Sequence, residues 1–80
     1  MPIFLKISRV NLAPETYTAF EYESERYMSW AHARTIPAIQ WESGPVKIDE
    51  LVVLLESRGW HQTDIGDELD EARKAPGLEA

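Results

Sequence analysis

Histidine and carboxylate side chains are the residues of this chain best suited to acid–base or metal chemistry, but their spacing assembles no site. His32 and His61 are the only histidines and there is no cysteine, so no catalytic triad, thiolate nucleophile or zinc site is predicted. The acids at 21–25 alternate along the chain and do not share one helix face. His61 and Asp64 are interpreted as solvated surface. We therefore predict no enzymatic activity, no metal and no cofactor.

The acidic side chains are concentrated near the C-terminus. Most of the net charge of −6 falls in residues 62–80, whereas residues 1–61 are close to neutral. A local basic face is thus compatible with the middle of the chain. The predicted acidic surface consists of Asp64, Asp67, Glu68, Asp70 and Glu71.

Size and composition predict one small domain. The chain has 80 residues, of which 44% are hydrophobic, and this favours a globular fold over disorder. We expect a single domain over residues 1–75 and a loose tail over 76–80. The absence of cysteine suits a reducing compartment. The apolar start of the chain is too short for a signal sequence or a membrane span, so we expect a cytoplasmic protein with no membrane association.

The first half of the chain has a mixed pattern. Residues 3–10 are apolar and β-branched and predict a strand, with a helix from Ser8 as the alternative. Between Pro14 and about Ala33, apolar residues recur every three or four positions and predict an amphipathic helix. This segment forms either one helix or two helices that are separated near Ser24.

The second half has clearer boundaries. Residues 36–41 and 46–48 flank a turn at 42–45 and predict a short hairpin. Asp49 is placed as the cap of a helix that ends at Gly59. Thr63 would cap a last helix that turns Ile65, Leu69 and Ala72 inward. The predicted fold class is therefore α+β, a small domain of about three helices with a short β-hairpin.

One stretch resembles a known family. Trp30 precedes Pro37 by seven residues, Thr35-Ile36-Pro37-Ala38 forms a turn, Glu42-Ser43-Gly44-Pro45 forms a loop tip, and Val46-Lys47-Ile48-Asp49-Glu50-Leu51 opens a helix. This order is similar to the second half of the winged helix-turn-helix domains of phage excisionases and MerR-type transcription regulators. The resemblance implies a winged-helix fold and a small DNA-binding accessory or regulatory protein.

The resemblance also implies which residues would meet duplex DNA. Arg26, Ser29 and His32 would face the major groove from one side of a recognition helix. Arg34 and Lys47 would bind phosphates.

The acidity supports a different hypothesis. A small acidic domain suits a basic partner protein, whose nucleic-acid-binding surface it would occupy as DNA-mimicking phage inhibitors do. The acidic surface named above would be its partner-binding site.

Surplus aromatic residues add a third hypothesis, because tryptophan and tyrosine are common interface anchors. A homodimer or partner module would then use Tyr22, Tyr27, Trp41 and Trp60.

Overall fold

In the computed structural model, residues 2–24 and 38–74 are described. They form three strands and two helices. In chain order the elements are β1 (Ile3–Leu12), β2 (Glu15–Glu23), β3 (Ala38–Glu42), α1 (Ile48–Ser57) and α2 (Gln62–Lys74).

The strands form an antiparallel sheet in the order β1-β2-β3. β1 and β2 are joined by a two-residue turn at Ala13 and Pro14, whose peptide bond is cis. The pairing places Ile7 opposite Ala19, and a bulge interrupts the register between Arg9 and Asn11. β2 is the central strand, and both of its faces are buried along most of its length.

The predicted helix over residues 14–33 is wrong where the chain is described, because Glu15–Glu23 is a strand. Tyr17 and Phe20 are among the apolar residues on which the predicted helix depends, because their spacing of three would place them on one helical face. In the strand they point to opposite faces, since side chains alternate along an extended backbone. The choice between one helix and two therefore does not arise before Ser24, and residues 25–37 lie outside the described part.

The predicted hairpin over residues 36–48 is also wrong. β3 pairs with β2, and beyond the bend Val46 pairs with Tyr17 of the same strand, with hydrogen bonds of 2.8 and 2.9 Å. The two segments follow one edge of β2 in turn and do not pair with each other. Gly44 has the expected positive φ of 75°. The described residues form a small α+β domain, as predicted, but the predicted arrangement of about three helices and a hairpin is wrong, since they form a three-stranded antiparallel sheet and two helices.

Both helices cover one face of the sheet. Leu51 and Leu55 of α1 and Ile65, Leu69 and Ala72 of α2 form the core with Leu5, Ile7, Tyr17 and Ala19. The inward residues of α2 are those expected from the sequence. The predicted Asp49 cap is wrong, because α1 begins at Ile48 and Lys47 occupies the N-cap without a side-chain capping bond.

The turn after α1 matches its prediction. Gly59 has φ of 95°, which a residue without a Cβ adopts at little cost. The Gly59 N–H donates to the Glu56 carbonyl at 3.0 Å, and the Trp60 N–H donates to the Leu55 carbonyl at 3.1 Å. This paired arrangement terminates the helix and turns the chain back toward the sheet.

Among the described residues no helix is long and apolar enough to cross a lipid bilayer.

Candidate protein-binding surface

The acidic surface predicted from the sequence lies along α2. Asp64, Asp67 and Glu71 follow one another at spacings of three and four, so they lie on one side of the helix. Asp70 follows Asp67 by three residues and widens this side. These four side chains are exposed and Glu68 is half-buried. We call this group, Asp64, Asp67, Glu68, Asp70 and Glu71, the acidic stripe.

The core holds the acidic stripe in a fixed orientation. Ile65, Leu69 and Ala72 are almost completely buried against the sheet, and they recur at spacings of four and three along α2. Since buried and acidic residues occupy different sides of the same helix, burial of one side determines where the other points. The stripe is therefore a preorganised surface.

The C-terminal end of α2 is tied to the β1–β2 hairpin. The Arg9 guanidinium donates to the carbonyl of Arg73 at 3.4 Å, and Arg73 lies 3.8 Å from the Glu15 carboxylate. The Tyr17 hydroxyl also donates to Glu15. Burial raises the pKa of Tyr17 above its ordinary value of 10.0, and the hydrogen bond to Glu15 acts in the same direction. These contacts engage the Arg73 guanidinium at the end of the stripe.

A second cluster fixes the start of α2. Glu21, near the C-terminal end of β2, accepts hydrogen bonds from Arg58 Nε at 2.7 Å, Arg58 Nη2 at 2.9 Å and Trp60 Nε1 at 2.9 Å. The Arg58 guanidinium also lies 4.0 Å from the ring centre of Trp41. Glu21 thus anchors the turn between the helices.

The charge of Glu21 is stabilised where it lies. The hydrogen bonds from Arg58 hold the pKa of the Glu21 carboxyl below its ordinary value of 4.5, with a further contribution from Trp60. Burial acts in the opposite direction, but the hydrogen bonds have the larger effect, so the pKa of Glu21 is lowered. Arg58 is consequently engaged within the domain.

A hollow of about 180 Å³ lies between β1 and the first turns of α2. Its walls are Phe4, Leu5, Trp60, Asp64, Asp67 and Glu68. Phe4 stacks on Tyr22 with ring centres 5.7 Å apart. The acidic stripe therefore forms one side of a cavity whose other lining residues are apolar or aromatic.

Only part of the predicted DNA-binding set falls within the described residues. Lys47 is exposed at the N-terminus of α1. The other four residues of this set, Arg26, Ser29, His32 and Arg34, lie outside the described residues. Their role in DNA binding stays a prediction.

The aromatic residues proposed as interface anchors are used differently. Trp41 and Trp60 are half-buried and pack against the core, and Tyr22 is completely buried. Tyr27 lies outside the described residues. Among described residues, the exposed large hydrophobic side chains are all aliphatic. Homodimerisation stays a prediction, without an aromatic anchor in this part of the chain.

His61 is exposed, as its interpretation as solvated surface requires. Within residues 2–24 and 38–74 there is no group of three or more His, Asp or Glu side chains placed to hold a metal ion.

Sequence reasoning missed Phe4, Leu5 and Trp60 as companions of the acidic stripe. Their proximity depends on the packing of α2 against β1, which no local pattern encodes. It also missed Glu21. The available signal is the position of Glu21 between Phe20 and Tyr22, because a buried acid requires a partner, but this signal applies only to a buried strand and the sequence predicts a helix there.

No protein-family model matches this chain, and no curated protein or solved structure matches it significantly.

Proposed function

We propose that this protein is an acidic binding module that occupies the basic, nucleic-acid-binding surface of a partner protein. The observation that carries the proposal is the acidic stripe, in which four exposed carboxylates lie along one rigid helix. A preorganised row of negative charge presents to a basic protein what a phosphate backbone would present. The proposal includes a cytoplasmic location.

The distribution of basic residues supports the same proposal. α1 carries Asp49, Glu50 and Glu56 and no basic residue. Arg58 is engaged with Glu21, and Arg73 lies near Glu15. Residues 47–74 carry eight acidic and four basic side chains, and the basic ones include the exposed Lys47 and Lys74. This helical layer is therefore predominantly acidic, and such a surface repels nucleic acid and attracts cationic proteins.

A labelled arginine- and lysine-rich peptide provides the first test. Fluorescence anisotropy of this peptide with the full chain should give saturable binding that weakens as salt rises, because exposed charges are screened over a Debye length of about 8 Å at physiological ionic strength. A labelled duplex DNA of generic sequence is measured in parallel, and it tests the DNA-binding hypothesis directly. Binding of the duplex with no binding of the peptide would contradict the proposal.

Two variants with the same change in net charge test whether peptide binding depends on the acidic stripe itself or only on the total charge. One variant neutralises four acids of the stripe, Asp64→Asn, Asp67→Asn, Asp70→Asn and Glu71→Gln. The control variant neutralises four exposed acids elsewhere, Glu42→Gln, Asp49→Asn, Glu50→Gln and Glu56→Gln. The proposal predicts that the stripe variant loses peptide binding and the control largely keeps it. Equal loss in both variants would mean that the stripe is not the binding surface.

Point substitutions are used because α2 also forms part of the core. Ile65, Leu69 and Ala72 of α2 belong to the core, so removal of this helix would expose the sheet and unfold the domain.

A further inference from the structure

The hollow beside the acidic stripe has the size of one side chain. Binding sites for whole small molecules measure about 300–1,000 Å³, whereas this hollow measures about 180 Å³. It is bounded by Phe4 and Leu5 of β1, by Trp60 in the turn and by three acids of α2. A cavity of this size suits a single anchoring residue from a partner.

Its walls combine two kinds of surface. Leu5 and Trp60 provide apolar and aromatic area, Phe4 borders the hollow from β1 with its ring stacked on Tyr22, and Asp64 and Asp67 provide negative charge. Among the described residues, no basic side chain lines the hollow, and neither aspartate forms an ion pair. Long cationic side chains match such a site, because their methylene stems bury against apolar surface while the charged group meets a carboxylate or an aromatic ring.

The same molecule already binds a guanidinium in this way. Arg58 lies over the ring of Trp41 at 4.0 Å while its Nε and Nη2 donate to Glu21. A planar guanidinium can stack on a ring and donate to a carboxylate at once, whereas a lysine ammonium is a strongly hydrated point charge. Aromatic and carboxylate groups therefore favour arginine over lysine in the hollow.

We propose that the hollow is an anchor site for an arginine side chain of the basic partner, an inference that rests on the proposed function. Asp64 and Asp67 are three residues apart on one side of α2, so both carboxylates face the same ligand. The arginine stem lies against Leu5 and Trp60, and its guanidinium donates to the two aspartates.

A small probe tests the site without the partner. The intact, isotope-labelled chain is titrated with an arginine capped at both ends, and in parallel with the capped citrulline analogue, which has a neutral urea in place of the guanidinium. We expect saturable NMR shifts at Leu5, the Trp60 indole N–H and residues 64–68 with arginine only. Equal shifts with citrulline, or arginine shifts spread evenly over all acidic residues, would overturn the arginine site.

Two charge-matched double variants distinguish this inference from the proposed function. Asp64→Asn with Asp67→Asn removes the rim of the hollow, and Asp70→Asn with Glu71→Gln removes the same charge elsewhere on the stripe. All four side chains are exposed, and an unchanged Trp60 indole signal verifies the fold. The inference predicts about tenfold weaker binding of the basic peptide for the first pair and about threefold or less for the second.

Equal weakening by both pairs would overturn the arginine site and leave the acidic binding module standing. Unchanged binding in both pairs would overturn both proposals.

Discussion

Arg58 and Glu21 are 37 positions apart in the chain, and their side chains form a two-point ion pair with bonds of 2.7 and 2.9 Å. The Glu21 side chain is only 12% exposed. Because Arg58 follows α1 and Glu21 lies on the central strand β2, the pair joins the end of α1 to the sheet. Trp60 Nε1 donates to the same carboxylate. The pair thereby fixes Trp60, which forms one wall of the hollow beside the acidic stripe.

Removal of the Glu21 charge should destabilise the fold. Glu21→Gln keeps the shape of the side chain but leaves the Arg58 guanidinium without its carboxylate. We expect the free energy of unfolding to fall by about 1–3 kcal/mol, since a hydrogen-bonded partner is lost at a largely buried site. Urea denaturation measures the change. Glu42→Gln, at an exposed position on β3, serves as the control and should change stability by less than about 0.5 kcal/mol. Equal effects of the two substitutions would contradict this role of Glu21.

The same carboxylate predicts sensitivity to acid. The pKa of Glu21 is lower in the folded chain than its ordinary value of 4.5, so the unfolded chain binds the proton more tightly. The stabilisation is complete above about pH 4.5 and is lost as pH falls through the lowered pKa. The stability difference between the wild type and Glu21→Gln should therefore shrink on acidification. A difference that is constant down to strongly acidic pH, measured by urea denaturation, would refute the assignment.

Tyr17 predicts the opposite dependence at high pH. Burial and the bond to Glu15 raise the pKa of Tyr17 above 10.0, so the folded chain holds the hydroxyl proton more tightly. The resulting stabilisation is complete below about pH 10 and is lost as pH rises through the raised pKa. Tyr17→Phe should remove this component, and its stability curve above pH 10 should be flatter than that of the wild type. Parallel curves for both proteins would contradict the prediction.

Substitution of two glycines by alanine should change the free energy of unfolding in opposite directions. Gly59 has φ of 95°, where a Cβ is strained, so Gly59→Ala should destabilise the domain by about 1 kcal/mol. Gly66 lies within α2, where an added Cβ meets no atom within 4 Å. Gly66→Ala should raise the free energy of unfolding by about 0.5–1 kcal/mol. Thermal unfolding followed by circular dichroism compares them, and a stabilising Gly59→Ala would contradict the described turn.

The elements that the sequence predicted well are those with one buried side and a clear end. In α2, Ile65, Leu69 and Ala72 repeat at helical spacing among acids, so the inward side could be identified. Gly59 could be placed after α1 because few other residues adopt its backbone conformation.

β2 could not be recognised in the same way. Both faces of this central strand are buried, and the alternation of polar and apolar residues changes phase between Ala19 and Phe20, so no single period of two runs along its length. The spacing of three between Tyr17 and Phe20 also matches the repeat of a helix. The β-branched and aromatic residues at 16–18 carried the better signal, since such residues favour strands.

The candidate site was predictable only in part. The acidic stripe could be read from its spacing, because all of its members lie on one helix. Leu5 and Trp60 join it through the packing of α2 on β1, and Glu21 meets Arg58 across 37 positions. Contacts over such separations depend on the assembled sheet. The sequence-based prediction has a helix in place of β2 and therefore lacks this sheet.

A backbone-amide NMR titration of the intact chain with the arginine- and lysine-rich peptide tests the central claim most directly. The account predicts saturable shifts along residues 62–74 and at Leu5 and Trp60, which fade as salt rises. Shifts confined to the outer side of α1, or a spectrum that does not change at low salt, would contradict the claim that α2 is the binding surface.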